Sequence, residues 1–393
     1  MRWPEWIWAV AGALMLLVFG LMPIGAASSA IAKGLDVYLF LIGMMLLSET
    51  ARLYGVFDWL AAMAVNHAGK SRLKLFTLVY VTGVIVTIFM SNDATAVVLT
   101  PAVFAAAKKA RAEPLPLLFA CALIANAASF VLPISNPANL VLYGGHMPPL
   151  DQWLRSFALP SLASIVVTFA LLCWVERERI AGECGCGVEV APLSPGGKIA
   201  LAAVILTAAL LGSVSALDWQ LGLPTAMAGI ATALGVSALA RRSPLHLVRS
   251  VAWGVLPLVA GLFVLVEALD GTGVIRVIAD VLRSVSRHPA WGGAVAGTIL
   301  AFGSNLTNNL PAGLIASMAV AQAHPPRLVL DALLIGVDLG PNLSVTGSLA
   351  TILWLQAIRR EGENVSFLAF LKVGVVAMPL ALLAALGTRL MIG

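Results

Sequence analysis

Charged side chains are scarce in this sequence. Asp, Glu, Lys and Arg together make up 11% of its 393 residues, whereas a typical soluble domain carries about 25%. Hydrophobic residues account for 60%, and several uncharged runs are long enough to cross the roughly 30 Å of a bilayer's hydrocarbon core. The composition therefore indicates an integral membrane protein and argues against a soluble one.

Cysteine and catalytic motifs are scarce as well. Of the four cysteines, Cys121 and Cys173 lie in apolar segments, and Cys184 and Cys186 flank one glycine in a hydrophilic loop, so no disulfide framework is indicated. The second pair offers two soft thiolates to a thiophilic metalloid, but a solvated loop is the more common explanation. The sequence contains no HExxH, GxSxG or comparable motif, so we expect no enzyme, no cofactor and no metal site.

The net charge of +5 comes from short Lys and Arg clusters between apolar runs. This distribution follows the positive-inside rule, so we predict a lipid bilayer as partner and no nucleic acid. The same rule places the amino terminus in the cytoplasm. The first apolar run exceeds the roughly 7–15 residues of a signal-peptide core, so we expect it to be retained. About nine crossing segments are expected, at residues 7–26, 36–54, 115–143, 153–175, 199–216, 223–240, 251–269, 328–358 and 367–391.

A hydrophilic stretch, 176–198, divides the chain near its middle. We interpret it as a cytoplasmic linker between a first repeat, 1–175, and a second repeat, 199–393. The two halves resemble each other weakly, because Glu49 precedes Gly55 by six residues as Glu267 precedes Gly273. The other matched pairs are Ser91-Asn92 with Ser304-Asn305, and the Pro137 segment with the Pro341 segment. Such duplication is characteristic of secondary transporters, so the predicted fold is an all-α polytopic membrane protein with two inverted-topology repeats.

Each repeat is predicted to contain a re-entrant hairpin. In residues 75–107, two apolar arms of about 16 and 12 residues flank the polar stretch 91–95, and neither arm spans the bilayer alone. Because basic clusters precede and follow these arms, both ends should lie in the cytoplasm. Residues 291–322 repeat the pattern around 304–309 and should enter from the opposite face, although Arg276, Arg283 and Arg287 argue weakly against that side.

Each repeat also contains a predicted broken helix, at 115–145 and at 328–358. Proline and small polar residues interrupt these helices at 133–139 and 338–347. Irregular backbone survives at membrane depth only where it is buried in protein or lines a cavity. We therefore expect the two breaks and the two hairpin tips to converge on one binding site.

The side chains of these four segments are mainly Asn, Ser and Thr, and none of the segments contains Lys or Arg. Amide and hydroxyl groups both donate and accept hydrogen bonds, so a small uncharged hydroxylated solute or a bare cation fits better than a dicarboxylate. Any single one of these residues can equally be a contact between helices. The candidate substrate-binding residues are Asn92, Asp93, Thr95, Ser135, Asn136, Asn139, Asn305, Thr307, Asn308, Asn309, Asp338, Asn342, Ser344 and Thr346.

Four acidic residues are candidates for proton coupling. Asp93 and Asp338 lie in the polar segments, and Glu49 and Glu267 lie at matching places in the repeat. Ionisable groups at membrane depth are costly and point to function, and the cost of a buried charge favours the protonated carboxyl that a proton carrier requires. We rank the aspartates first, because the glutamates lie near span ends, where side chains can reach the interface.

Residues 335–355 (IGVDLGPNLSVTGSLATILWL) resemble the signature of the ArsB arsenite efflux permeases. The stretches 307–311 and 91–101 resemble that family's hairpin motifs, and the similarity covers nearly the whole chain after residue 35. The resemblance implies the ion transporter superfamily fold, a bacterial inner-membrane location and extrusion of As(III) or Sb(III) driven by protons. It also implies optional pairing with a cytosolic arsenite-stimulated ATPase. This chain departs from the family at Asn126-Ala127, where an Asp-Thr pair is common, which removes one candidate acid.

Three alternatives stay open. The same superfamily fold serves sodium/proton antiporters and anion symporters, because one fold hosts many solutes. The chain is also compatible with the passive channel subunit of an ATP-driven arsenite pump. Transport assays on this chain alone, with arsenite, sodium and dicarboxylates as substrates, would distinguish these three functions.

Overall fold

The computed structural model describes residues 4–144, 147–185, 192–241 and 243–393, which form nineteen α-helices and no β-strand. The first half contains α1 (Glu5–Val18), α2 (Ile24–Lys33), α3 (Leu35–Leu53), α4 (Val56–Ala68), α5 (Arg72–Phe89), α6 (Thr100–Lys109), α7 (Pro114–Ala127), α8 (Pro137–Tyr143) and α9 (Leu150–Val175). The second half contains α10 (Pro195–Ala216), α11 (Gly222–Leu239), α12 (Pro244–Ser250), α13 (Val255–Gly271), α14 (Val274–Val285), α15 (Pro289–Thr307), α16 (Asn309–Ala323), α17 (Arg327–Leu339), α18 (Leu349–Arg360) and α19 (Phe367–Ile392). The all-α prediction is confirmed, and the inverted relation of the two repeats stays a prediction.

Short irregular segments lie between these helices. A π-helical segment, Ala94–Leu99, leads into α6. Three 3₁₀ turns, Pro133–Ser135, Gly340–Leu343 and Val345–Gly347, lie in the two predicted broken helices. Proline removes a backbone donor and clashes with the preceding turn, which explains why the helices stop at these places.

Five helices are long and apolar enough to cross a membrane: α5, α9, α10, α11 and α19. Two bent pairs, α2 with α3 and α12 with α13, raise the number to as many as seven within the described ranges. The polytopic prediction is confirmed, but the expected nine crossing segments are not all single long helices. Two of them are the broken helices, and residues 7–26 divide at Gly20, whose φ of +66° suits glycine and ends α1.

Helices α15 and α17 lie side by side through glycine contacts. A Cβ atom at Gly297 would lie 2.5 Å from the Ala332 carbonyl oxygen, and one at Gly336 would lie 2.2 Å from the Gly297 carbonyl oxygen. These distances leave no room for a side chain, so small residues set the spacing of the two helices, as is common in membranes. The contact positions the end of α17, which carries Asp338.

We expect Gly297→Ala to lower the free energy of unfolding by about 1–3 kcal/mol, because the added methyl group must push α15 away from α17. Gly303→Ala on the same helix is the matched control, since nothing lies within 4 Å of a Cβ atom there. It should leave stability unchanged or raise it by up to about 1 kcal/mol through helix propensity. Thermal unfolding of the two purified variants measures the difference, and equal stabilities would contradict the close-packing interpretation.

The first hairpin consists of α5, the π-helical segment and α6, and the linker holds its two ends together. The backbone N–H of Cys184 donates to the Lys70 carbonyl oxygen at 2.8 Å, and that of Gly185 donates to the Ala110 carbonyl oxygen at 2.6 Å. Lys70 precedes α5 and Ala110 follows α6. Because two consecutive linker residues reach both, the arms begin and end at the same side of the molecule. That α5 and α6 turn back within the bilayer stays a prediction. The expectation that neither arm could span the bilayer alone is wrong for α5, because that helix starts at Arg72 and is, with 18 residues, long and apolar enough to cross a membrane.

The second hairpin consists of α15 and α16, and its ends also lie together. Arg283, near the end of α14, donates from Nη2 to the Gln322 carbonyl oxygen at 2.9 Å. A Cβ atom at Gly292, near the start of α15, would lie 2.3 Å from the Val285 carbonyl oxygen. Both ends of this hairpin therefore contact the end of α14.

Each hairpin tip contains a residue other than glycine with positive φ. These residues are Ser91, with a φ of 142°, and Asn308, with a φ of 79°. Such backbone is costly and accumulates at functional sites. In the second hairpin the positive φ lies at Asn308, and Asn305 lies inside the last turn of α15. The expected match of Ser91-Asn92 with Ser304-Asn305 stays a prediction.

Candidate functional site

Asp338 lies fully buried at the end of α17, between two groups from the first half of the chain. The Ser129 hydroxyl donates to its Oδ2 at 2.6 Å, and Asn136 donates from Nδ2 to its Oδ1 at 2.9 Å. Asn136 is oriented by a second bond, because its Oδ1 accepts from the Ala138 backbone N–H at 3.0 Å and caps α8. No basic side chain within the described residues contacts Asp338. Its charge is therefore balanced only by neutral donors.

A related arrangement joins the first broken helix to the second. Asn126, near the end of α7, donates from Nδ2 to the Asn342 Oδ1 at 3.0 Å and to the Thr351 hydroxyl at 3.4 Å. The Ser348 hydroxyl lies 3.4 Å from the Asn126 Oδ1, and it also caps α18 by accepting from the Thr351 backbone N–H. In each half, the residue that caps the second helix segment thus contacts the other half. The two breaks form one hydrogen-bonded centre.

Asn139 and Ser135 connect the first break to its surroundings. Asn139 donates from Nδ2 to the carbonyl oxygens of Ser129, Leu132 and Pro133. The Ser135 hydroxyl donates to the Ile88 carbonyl oxygen at 3.0 Å, close to the end of α5. The Asn139 bonds satisfy carbonyl groups that the broken helix leaves free, and the Ser135 bond attaches the break to the end of α5. Both predicted binding residues therefore hold the break in place.

The second hairpin is bonded to the second break through Asn305. Its Nδ2 donates to the Gly340 carbonyl oxygen at 2.9 Å, and its Oδ1 accepts from the Ser344 hydroxyl at 2.8 Å. The Thr346 hydroxyl donates to the Asn305 carbonyl oxygen at 3.1 Å. Asn305, Ser344 and Thr346 are therefore brought together as expected, in a network that holds the hairpin to the break.

The tip of the second hairpin is more open. Thr307 is exposed, and the Asn308 Oδ1 accepts from the Leu310 backbone N–H at 3.3 Å, which caps α16. Asn309, next in the chain, is buried. Of these three predicted residues, Thr307 is exposed, Asn308 is partly buried and Asn309 is buried.

The tip of the first hairpin lies against a cavity of about 690 Å³. Ser91, Asp93 and Pro137 line the cavity, whereas Asp338, which is bonded to Asn136 next to Pro137, is not in the lining. Asn92 is buried, and its Oδ1 has no hydrogen-bond partner among the described residues. Thr95 is also buried, with its hydroxyl 2.8 Å from that of Thr87. Asp93 is therefore the predicted residue of this tip that faces open space.

The wall of this cavity also contains charged residues. Glu49 lies in the wall and is held by Arg52, which donates from Nε at 2.8 Å; Arg360 lies nearby in the same lining. The end of α3 packs on the start of α10, because a Cβ atom at Gly197 would lie 2.7 Å from the Tyr54 carbonyl oxygen. Since α10 follows the linker, the charged part of the cavity lies at the linker side of the molecule.

Glu267 is not brought to this site. It forms an ion pair of 2.7 Å with Lys33, which is 54% exposed at the end of α2. Its predicted counterpart Glu49 lines the cavity, so the two glutamates have different surroundings. The sequence match between them does not extend to their contacts.

Two further features of the centre were not predicted from the sequence: Ser129, and a buried ionic group around Asp331. Asp331 accepts from the Arg389 Nη2 at 2.7 Å and from the Tyr143 hydroxyl at 2.5 Å, and all three side chains are mostly buried. Asp331 precedes Asp338 by seven residues on α17, which is about two helical turns and places both on one face. The sequence does contain this signal, because a second acidic residue two helical turns before Asp338 indicates another buried charge on the same helix face.

The Cys184 and Cys186 pair is described only in part. The backbone of Cys184 belongs to the contact that closes the first hairpin. Cys186 and Arg242 lie outside the described residues, as do residues 1–3 and the last residue of the predicted broken helix 115–145. The hypothesis of metalloid capture by the two thiolates stays a prediction.

Comparison with known proteins places the chain among membrane transporters. Residues 1–337 match the family model CitMHS, described as a citrate transporter. An arsenical pump membrane protein of Escherichia coli is 26% identical over 97% of this chain and 93% of its own length. A putative arsenical pump membrane protein of Bacillus subtilis is 23% identical, with 96% and 92% covered. These relatives confirm the resemblance to arsenite efflux permeases.

A solved structure shares the fold. The YdaH transporter of Alcanivorax borkumensis, reported to have an unusual topology, superposes with a TM-score of 0.59 over 93% of this chain and 86% of that one. The two sequences are 16% identical. The likeness supports the helical architecture and carries no information about the solute.

Proposed function

We propose, from the premise that this chain belongs to the CitMHS family of citrate transporters, that it exports arsenite and antimonite from the cytoplasm in exchange for protons. The chain is a multi-pass membrane transporter, as its family and its apolar helices indicate. The substrate and the coupling ion form the proposal. A bacterial inner membrane is the location that this activity requires.

The observation that carries the proposal is a buried carboxyl group within an otherwise neutral polar centre. Asp338 accepts hydrogen bonds from Ser129 and Asn136, while Asn126 and Asn342 supply further amide groups close by. Arsenite at neutral pH is mainly an uncharged trihydroxide, whose hydroxyl groups can bond to amides and hydroxyls. Asn and Ser side chains at the breaks therefore suit this solute.

The need for a coupled proton follows from the absence of charge on the solute. A neutral molecule gains nothing from the membrane potential, so export against a gradient needs an ion that moves inward. Asp338, without a cationic partner in the described part of the chain, is the first candidate to take that proton. Asp93 at the cavity is the second, and we leave Glu267 out of the coupling because Lys33 pairs with it.

Access to the centre is proposed from the cytoplasm. The cavity beside Asp93 extends to the linker side, where Arg52 and Arg360 lie in its wall. Basic residues mark the cytoplasmic side of membrane proteins, so this shape corresponds to a state that loads solute from inside. Pro137 would separate the cavity from Asp338 in this state.

An organic anion is the second candidate substrate, because the family model is described as a citrate transporter. The same two arginines could attract a carboxylate at the cavity entrance. Arg52 is already paired with Glu49, however, and the breaks contain no basic residue. We therefore consider citrate a weaker candidate substrate than arsenite.

The test is transport by this chain alone in inverted membrane vesicles. We expect a proton gradient to drive accumulation of arsenite and antimonite, and a protonophore to abolish it. Citrate and sodium are measured in the same vesicles. Accumulation of citrate or sodium without arsenite would contradict the proposal, and arsenite transport that requires an added ATPase would replace the antiporter with a channel subunit.

A further inference from the structure

The Ser129 hydroxyl lies within hydrogen-bond distance of two acceptors. Its Oγ is 2.6 Å from the Asp338 Oδ2 and 2.7 Å from the Asn126 carbonyl oxygen. A hydroxyl group has one hydrogen and two lone pairs, so it can donate to only one of these atoms at a time. Ser129 is fully buried, which leaves the protein's own groups as its partners. The hydroxyl therefore has two possible orientations.

The other oxygen of Asp338, Oδ1, has a single hydrogen-bond donor in a fixed orientation. Asn136 donates to Oδ1 from Nδ2, and its own Oδ1 is held by the Ala138 backbone N–H at 3.0 Å. Turning the Asn136 amide over would break the cap of α8 and place two acceptor oxygens against each other. The Asp338 Oδ1 consequently stays an acceptor whether the carboxyl group is charged or neutral.

We propose that Ser129 is a positioning residue for proton coupling, and that the coupled proton binds Oδ2 of Asp338. When Asp338 is ionised, Ser129 donates to Oδ2. When a proton from water binds Oδ2, the Ser129 hydroxyl turns to donate to the Asn126 carbonyl oxygen, and its lone pair accepts the new O–H. Every partner stays satisfied in both states. This inference rests on the proposed function, in which Asp338 carries the proton.

The other ionisable groups on elements packed against α17 are few within the described residues. They are Cys121 on α7, Tyr143 on α8, and Lys372 and Arg389 on α19, together with Arg327 and Asp331 on α17 itself. Tyr143 and Arg389 bind Asp331, Arg327 lies 3.8 Å from the same carboxylate, and Lys372 is exposed. Ser129 and Asn136 are therefore the groups that contact the Asp338 carboxyl directly.

Infrared difference spectroscopy of the purified protein tests the inference without any solute. A protonated Asp338 has a carbonyl stretching band that appears as pH falls and that is absent in Asp338→Asn. We expect Ser129→Ala to move this band, because the acid loses its hydrogen-bond acceptor. Ser129→Thr, which keeps the hydroxyl, should leave it in place. Ser304→Ala is the control, since that buried hydroxyl donates to the Ala301 carbonyl oxygen and not to Asp338.

The outcomes separate the two ideas. A band that belongs to Asp338 but does not move in Ser129→Ala refutes the role of Ser129 and leaves proton uptake intact. If no band belonging to Asp338 appears at any pH at which the protein is folded, Asp338 is not the carrier, and the proton part of the proposed function fails as well. A band that moves equally in Ser304→Ala overturns the inference, because general loosening would explain it.

The pH profile of transport gives a second readout. A hydrogen bond to a charged carboxylate is roughly twice as strong as one between neutral groups, so loss of Ser129 penalises the ionised state more. We expect the pH of half-maximal transport to move upward by about one unit in Ser129→Ala. The Thr variant should restore the wild-type profile. A uniform loss of rate at every pH, with the profile unchanged, would indicate a structural role only.

Discussion

Asp338→Asn is expected to fold like the wild-type protein and to lose proton-driven export down to the level of empty vesicles. Asparagine has the shape of aspartic acid, and its amide can donate to the Ser129 hydroxyl while its oxygen still accepts from Asn136 at the observed 2.9 Å contact. The substitution also removes a buried charge, so it should not lower stability. It cannot release a proton, and the coupled step should stop.

Two measurements are needed on this variant. Thermal unfolding checks the fold, and arsenite exchange across vesicles without a pH gradient checks whether the solute still binds. We expect exchange to survive while accumulation is lost. Asp280→Asn is the matched control, because Asp280 is 61% exposed beside Arg283 and its loss should have little effect. Wild-type accumulation by Asp338→Asn would remove Asp338 from the coupling and leave Asp93 as the candidate.

Arg389→Leu is expected to destabilise the protein by about 3–5 kcal/mol, because it leaves the Asp331 carboxylate buried without its ionic partner. Asp331 is completely buried and Arg389 nearly so, with 2.7 Å between the carboxylate and Nη2. The remaining contacts are the Tyr143 hydroxyl and Arg327, whose Nε is 3.8 Å away. These groups compensate only in part. The pair joins α17 to the last helix, α19, so its loss should loosen the helix that carries Asp338.

The double variant Asp331→Asn with Arg389→Leu distinguishes an unpaired charge from a lost contact. Removing both charges leaves no buried ion, and replacement of a whole buried pair is often nearly neutral. We expect thermal unfolding in detergent to show most of the lost stability restored. Asp280→Ala, which removes the exposed partner of Arg283, serves as the exposed-pair control and should cost less than about 1 kcal/mol. The interpretation fails if the double variant is as unstable as Arg389→Leu.

Several predicted residues turned out to support the centre. Asn139 donates to three carbonyl oxygens of the first break, and Asn305 joins the second hairpin to the second break. Asp93 and Asp338, both ranked first among the acids, differ in access, since Asp93 lines the cavity and Asp338 does not. A polar residue in a broken helix has free backbone groups to satisfy before it can bind a solute. Residue type alone does not separate these roles.

The sequence by itself determined the membrane class, the helical fold and the places where helices stop. Apolar runs set the first two, because the bilayer requires every backbone group to be bonded within a helix. Proline and small polar residues set the third, because they interrupt that bonding locally. All of these effects act over a few neighbouring residues, so a linear reading can detect them.

Only the tertiary structure decided which polar groups meet. Ser129 and Asp338 are 209 residues apart, Asn126 and Asn342 are 216 apart, and Asp331 and Arg389 are 58 apart. Their encounter depends on helix contacts such as that of Gly297 with Gly336, where the absence of side chains fixes how closely two helices approach. Residue types show what a side chain can bond to. Its partner depends on packing between distant segments, which leaves no local pattern.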